Sequence, residues 1–234
     1  MNHFQTIYNS KAKQYHRLIS VEDVDGNLLP ALERVTPLAD KQILDLGTGT
    51  GRLPLLLGSR AKCLVGLDLY GDMLREQARQ REQQGGDWEL VQGDIRQLPY
   101  VSGWADVVTA GWAIGHLRSW FSETWQTTLG QVLSEMHRVV QPQGALIIIE
   151  TLGTGSLQPA PPSEELAEYY SWLEHEWDFQ RQTIRTDYQF ESVEEAVTHA
   201  EFFFGAKLAQ KIIAHDWQRL PEWTGVWGKT LRQS

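Results

Sequence analysis

The chain has 234 residues, 41% hydrophobic and 22% charged, which allows a single domain with a sizeable core and excludes a disordered or collagen-like chain. A formal net charge of −9 offers no general grip on nucleic acid. No apolar run approaches the roughly 20 residues that span a bilayer, and the first residues show no charged-then-apolar leader, so the cytoplasm is the expected compartment. The lone cysteine, Cys63, sits in an apolar segment and reads as a buried strand residue.

In chain order, a helix is predicted over residues 4–18, then a short loop at Asp25-Gly26-Asn27 and a second helix over 28–34, closed by Pro37. An alternation of strands and helices follows. The first strand is 42–46, and its helix opens near Leu53-Pro54, with Pro54 in the first turn where a missing N–H costs nothing. The second strand is 63–67, followed by a helix over 72–83 that ends at Gly85-Gly86. A third strand is read at 88–92, a fourth at 106–110, a helix at 124–139 and a fifth strand at 145–150. The fifth is nearly all apolar, as a strand covered on both faces should be. Residues 151–163, rich in Gly, Pro and Ser, read as an irregular connection, and 164–177 as a helix carrying Tyr169, Tyr170, Trp172 and Trp177. Residues 179–190 alternate like a strand, Ser192 to Glu195 form a capping box for a helix reaching Phe204, and a last strand closes the chain at 223–231.

This pattern predicts an α/β fold, a doubly wound, mostly parallel seven-stranded Rossmann-like sheet with helices on both faces. Right-handed crossovers place the C-terminal strand ends along one edge, where ligands bind in such folds. One domain spans the whole chain: N-terminal lid helices (1–40), a ligand-binding core (41–150), an insert (151–190), and a closing helix with the last strand (191–234).

Four features fall on the ligand edge. Asp45 is followed by Gly47, Gly49 and Gly51, a spacing that lets backbone turn sharply and approach a ligand closely. An acidic residue there repels phosphate and suits a cationic or donor group. Asp68 closes the second strand, placed to accept from ribose hydroxyls. Gly93-Asp94-Ile95 follows the third strand, offering a carboxylate and an apolar neighbour to a planar base, and Ala110-Gly111-Trp112 ends the fourth. The order of all four points to a nucleoside site. A dinucleotide fingerprint fits less well, because Arg52 follows Gly51 and Asp45 opposes a pyrophosphate.

The segments Leu44-Asp45-Leu46-Gly47-Thr48-Gly49-Thr50-Gly51, Gly66-Leu67-Asp68-Leu69, Gly93-Asp94-Ile95 and Asp106-Val107-Val108 together resemble the class I S-adenosylmethionine-dependent methyltransferases. Residues 132–144, ending in Gln141-Pro142-Gln143-Gly144, are similar to the fifth-strand entry of its ubiquinone/menaquinone-type small-molecule branch. The resemblance covers residues 40–150. It implies S-adenosylmethionine as cofactor, S-adenosylhomocysteine as product, and transfer of a methyl group to an oxygen, nitrogen or carbon of a small organic acceptor. It further implies that Asp45 orients the methionyl ammonium through the loop or a water, with a carbonyl near Gly111 meeting the same group. Gly47, Thr48, Gly49 and Gly51 would pass close to the cofactor, and Asp68 would hold the ribose. Asp94 would meet the adenine amino group, with Leu69 and Ile95 on the ring faces and Met73 beside them. Residues 8–15 resemble an aromatic lid helix, so Tyr15 or Tyr8 is either a cofactor contact or a packed aromatic.

An acceptor that must lose a proton needs a base. His116, after the fourth strand, is the first candidate on the acceptor side, against a histidine that merely fills the loop; His175, on the aromatic helix, is the second, against a solvated helix face. No histidine spacing suggests a metal. Thr109-Ala110-Gly111-Trp112 lacks the Asn/Asp-Pro-Pro-aromatic turn of amino-methylating DNA or glutamine enzymes. The aromatic insert is either a lid over an apolar acceptor pocket or core packing. The expected partner is a small-molecule acceptor, without nucleic acid or membrane, on a monomer or homodimer. A noncatalytic S-adenosylmethionine-binding or regulatory module on the same fold is the alternative.

Overall fold

The computed structural model describes residues 3–231. Three short helices, α1 (His3–Ser10), α2 (Ala12–Ile19) and α3 (Leu28–Val35), precede the sheet. Then come β1 (Gln42–Leu46), α4 (Arg52–Leu57), β2 (Cys63–Asp68), α5 (Gly71–Gln84), β3 (Glu89–Gln92) and β4 (Ala105–Gly111). After these follow α6 (Ile114–Trp120), α7 (Trp125–Val139), β5 (Val140–Thr154) and α8 (Glu164–His175). The chain continues through β6 (Gln180–Arg185), β7 (Tyr188–Gln189), α9 (Val193–Phe204), α10 (Ala206–His215), β8 (Arg219–Leu220) and β9 (Glu222–Thr230).

Seven strands form one sheet in the order β3-β2-β1-β4-β5-β9-β6. The pairs from β3 through β5 are parallel, and β9 runs antiparallel between β5 and β6. Strand order reverses between β1 and β4, and a reversal of this kind opens a crevice beyond the carboxyl ends of the strands. The central strands are buried on both faces, because alternate residues feed two cores. Leu44, Leu46, Val108 and Ile148 pack towards α7 and α8, while Ile43, Val107, Ile147 and Ile149 pack towards α3 and α4. A third, smaller core ties Leu18 of α2 to Tyr188, Phe190, Ala200, Ile212 and Leu220, so that α9, α10 and the β7–β8 ribbon brace the N-terminal helices.

The elements depart from the sequence pattern in several places. The helix read at 4–18 is broken at Lys11, whose φ of −132° and ψ of 28° lie outside the helical region. The strand read at 179–190 divides because Thr186 and Asp187 turn inward: Asp187 accepts from Arg185, Arg219 and the Glu222 N–H. Strand β5 is longer at both ends than its apolar stretch, and Trp88 lies just before β3. Helices α6 and α10 are additions. In the insert, Tyr169, Tyr170 and Leu173 are core residues and Trp172 packs edge-on against Trp125. Of the two readings of that insert, the fold realises core packing.

Candidate active site

The crevice at the strand reversal holds a cavity of about 270 Å³, walled by the β1–α4 turn, the ends of β2, β3 and β4, helix α6, and the N-terminal helices. The β1–α4 turn is built on positive φ angles at Gly47 (63°), Gly49 (57°) and Gly51 (98°). At Gly47 the requirement is also steric, since a Cβ would lie 2.4 Å from the Ala113 Cβ. Behind Gly51 the Gln77 side chain fills the space a Cβ would need, at 2.8 Å. Gly47, Thr48 and Gly49 line the cavity, whereas Gly51 is buried behind the turn.

Asp68 is 6% exposed and holds this turn in place: one carboxylate oxygen accepts from the Gly49 N–H and the other from the Tyr70 N–H, each at 2.8 Å. Burial pushes its pKa up to about 6, with backbone donors pulling the other way. Leu69, Met73, Asp94, Ile95 and Gly111 continue the cavity wall. Asp94 makes a close ion pair with Arg96 (2.5 Å), and that hydrogen bonding holds its carboxyl below the usual range.

Asp45 lies behind the glycine turn. It is 2% exposed, lies outside the cavity wall, and accepts the Thr109 hydroxyl at 2.7 Å. Burial raises its pKa to about 7, and the bond to Thr109 ties β1 to β4 behind the turn. His175 is likewise away from the site: it is exposed at the end of α8 and bonds back to Ser171.

His116 faces the cavity from the first turn of α6. Its Nε2 lies 2.7 Å from the Tyr8 hydroxyl of α1, and its ring stacks near Trp120. Burial lowers its pKa to about 4, so the imidazole is neutral near pH 7. Tyr15 meets Tyr8 edge-on and approaches Phe203 of α9, closing an aromatic roof over the cavity. Burial raises the Tyr15 phenol to about 12. Two residues that the sequence gives only as motif neighbours also stand in the wall. Arg52 follows Gly51, and Trp112 follows Gly111 with a φ of 50°, a left-handed conformation that a bulky residue rarely adopts.

Residues 44–148 match the family profile of the methyltransferase domain. Over those residues the chain is similar to the class I S-adenosylmethionine-dependent methyltransferases. It is 30% identical over 173 residues to a malonyl-[acyl-carrier protein] O-methyltransferase of Legionella pneumophila, covering 73% of this chain and 57% of that protein. It is 31% identical over 155 residues to a demethylmenaquinone methyltransferase of Lactococcus lactis, covering 63% of this chain and 58% of that protein. The chain thus spans little more than half the length of these relatives. Among solved structures, the YcgJ protein of Bacillus superposes with a TM-score of 0.58 at 16% identity, covering 90% of this chain and all of that one. Phosphoethanolamine N-methyltransferase 2 of Haemonchus contortus, solved with S-adenosyl-L-methionine, gives 0.60 at 17% identity, covering all of this chain and 60% of that one. At these identities the structural likeness concerns the fold.

The cavity fits the cofactor of that family. S-adenosylmethionine is a nucleoside joined to a cationic sulfonium and an amino-acid end. The cavity offers the Asp68 carboxylate at the end of β2, Asp94 and Ile95 after β3, and open space along the turn. A Cβ at Gly49 would meet the Tyr15 ring at 3.9 Å, an ordinary contact, so the roof lies directly over the turn there.

Proposed function

We propose that this protein moves the methyl group of S-adenosylmethionine to an oxygen, nitrogen or carbon of a small organic acceptor. The observation that carries the reading is the convergence on one cavity of the glycine turn, Asp68, the Asp94–Ile95 pair and the Tyr8–His116 pair. When bound, the cofactor supplies an activated methyl group, which leaves the chain chiefly the work of positioning the acceptor and excluding water. Asp68 holds the ribose, Leu69 and Ile95 flank the adenine, Asp94 meets its amino group, and the Gly111 carbonyl meets the methionyl ammonium. Thr48 and Met73 complete that contact surface, with Tyr15 above it. The neutral His116 ring accepts an acceptor proton through the Tyr8 hydroxyl, or fixes that hydroxyl as a hydrogen-bonding guide. The named relatives act on malonyl-acyl-carrier protein and on demethylmenaquinone, which supports an acceptor of small-molecule character, free or carried. No helix among the described residues is long and apolar enough to cross a membrane. The reading extends to a cytoplasmic monomer or homodimer that does not act on nucleic acid.

The test is calorimetric titration with S-adenosylmethionine, S-adenosylhomocysteine and NADH at equal concentrations, followed by an acceptor panel read by S-adenosylhomocysteine formation. Micromolar binding of the first two alone and acceptor-dependent turnover are expected. Binding of NADH instead would overturn the cofactor, and binding without turnover on any acceptor would leave a noncatalytic module.

A further inference from the structure

Charge is unevenly shared along the chain. The first 21 residues hold Lys11, Lys13 and Arg17 and no Asp or Glu, while the rest holds 18 Lys and Arg against all 30 Asp and Glu. The N-terminal helices are thus a cationic cap on an acidic body. Lys11 and Lys13 line a groove between α2 and α5, and Arg75 and Arg79 line it from the α5 side. Arg17 lies one turn beyond Lys13, as Arg79 lies one turn beyond Arg75, so each helix bears a row of cations along one face. All five residues are exposed.

Counter-charge within the groove is slight. Asp72 pairs with Arg75 at 2.7 Å and Glu76 with Arg79 at 3.0 Å, but these arginine side chains are 70% and 66% exposed. Ion pairs so open to water hold weakly, which leaves both guanidinium groups available to another partner. Among the described residues, Lys11, Lys13 and Arg17 make no ion pair. The same two helices wall the active-site cavity from their other faces, through Tyr15 of α2 and Met73 of α5. The groove therefore lies about one helix diameter, about 10–12 Å, from the cavity. A free small acceptor gains nothing from cations outside the cavity. A protein that brings the acceptor on a flexible arm does, because docking here leaves the arm only that distance to cross. Nucleic acid suits the surface less well: its charge recurs about every 1.7 Å along a duplex and would run past five cations onto the acidic body. The carboxylates of a compact protein face can end where the groove ends.

We propose that the α2–α5 groove docks an acidic protein that carries the methyl acceptor on a flexible arm; this rests on the methyl-transfer reading above and decides between its free and carried acceptors. Complementary charges of this kind steer the encounter and fix the orientation of the partner. The probe is holo acyl carrier protein, a small acidic protein with a pantetheine arm, titrated calorimetrically into the full chain. Wild type should bind it at about 50 mM salt and lose about tenfold in affinity at about 200 mM. Lys13→Glu/Arg17→Glu should weaken binding by about tenfold or more at the lower salt, through like-charge contact with the carrier. Its affinity for S-adenosylhomocysteine should stay that of wild type, which also shows that the variant is folded. Lys62→Glu/Lys207→Glu makes the same change of net charge at exposed positions outside the groove, and should weaken carrier binding by less than about threefold. Equal losses in the two variants would overturn the proposal, since net charge and not the groove would then set affinity. Carrier binding retained in Lys13→Glu/Arg17→Glu would overturn it as well. So would a labelled transfer RNA that binds wild type more tightly than the carrier does and loses that affinity in the groove variant. Wild type that binds S-adenosylhomocysteine but not the carrier overturns the groove alone. Wild type that does not bind S-adenosylhomocysteine strikes the methyl-transfer reading, and the delivery role with it.

Discussion

At the scale of single residues, the site depends on burial changing what an ionisable group is. His116 would be a half-charged base near neutrality if it were exposed. Enclosed by Tyr8, Phe4 and Trp120, it is pushed down to about 4. A cationic cofactor beside it can only press in the same direction, so the resting ring is neutral throughout the physiological range. Imidazole resonances of His116, followed by NMR between pH 3 and 8, should show a midpoint near 4, and Tyr8→Phe should leave it far below 6.5. A midpoint near the ordinary value of 6.5 would mean the ring is solvated and the Tyr8–His116 pair is not formed. Asp45 illustrates the same effect in reverse. As a sequence feature it promises a full negative charge, yet burial among the central strands raises its pKa to about 7, against the pull of the Thr109 hydroxyl that it accepts.

At the scale of elements, helix α6 shows why part of the site was not legible in the sequence. Its N-cap, Ala113, has no side chain able to bond the first turn. The partner arrives from β5: Glu150 Oε1 accepts the Gly115 N–H at 2.8 Å, across 35 positions of sequence. A local search for capping residues has no access to such a contact, so α6 was missed while His116, which it carries, was found from its place after β4. The parallel core was legible because its strands are continuous apolar runs ended by Gly or Asp, and the helices at 164 and 193 because Ser163 and Ser192 cap them locally. The orientation of the α8 aromatics was not, since a helix with aromatics on several sides does not declare which side meets the sheet. The cap makes a specific prediction. Glu150→Gln keeps an acceptor of the same shape and should hold stability near that of wild type at pH 7. Glu150→Ala leaves the Gly115 N–H buried and unpaired, and should cost about 1–3 kcal/mol in urea unfolding. Equal stability of the two variants would show that α6 does not depend on this bond.

At the scale of the whole molecule, the buried acids set how stability depends on pH. Burial raises Asp45 to about 7, Asp68 to about 6, and Glu150 and Glu222 to about 8 each. Each of these groups is less than 10% exposed, and each has an unfolded value near 4. Between about pH 4.5 and 8 the folded chain therefore binds more protons than the unfolded chain. The linkage relation then gives a stability that falls as pH rises, by up to about 1.4 kcal/mol per pH unit for each proton held only by the folded state. His116 opposes this trend: its depressed value makes the unfolded chain the better proton binder between about 4 and 6.5, so its contribution is lost as pH falls. Burial lowers His16 and His137 as well, and above pH 6.5 none of the three histidines works against the four carboxyls. The urea midpoint should accordingly be higher at pH 5.5 than at pH 8, the reverse of a protein whose carboxylates are stabilised by salt bridges. Glu222 is a sharp probe of this account, because it lies near buried Glu22 and its Oε2 has no hydrogen-bond partner. Replacing it in Glu222→Gln removes one of the titrating protons while preserving shape, so the decline from pH 5.5 to 8 should become shallower. A midpoint that rises with pH over this interval would show that these carboxyls are ionised in the folded protein and that their surroundings are wetter than the packing of β5 and β9 indicates.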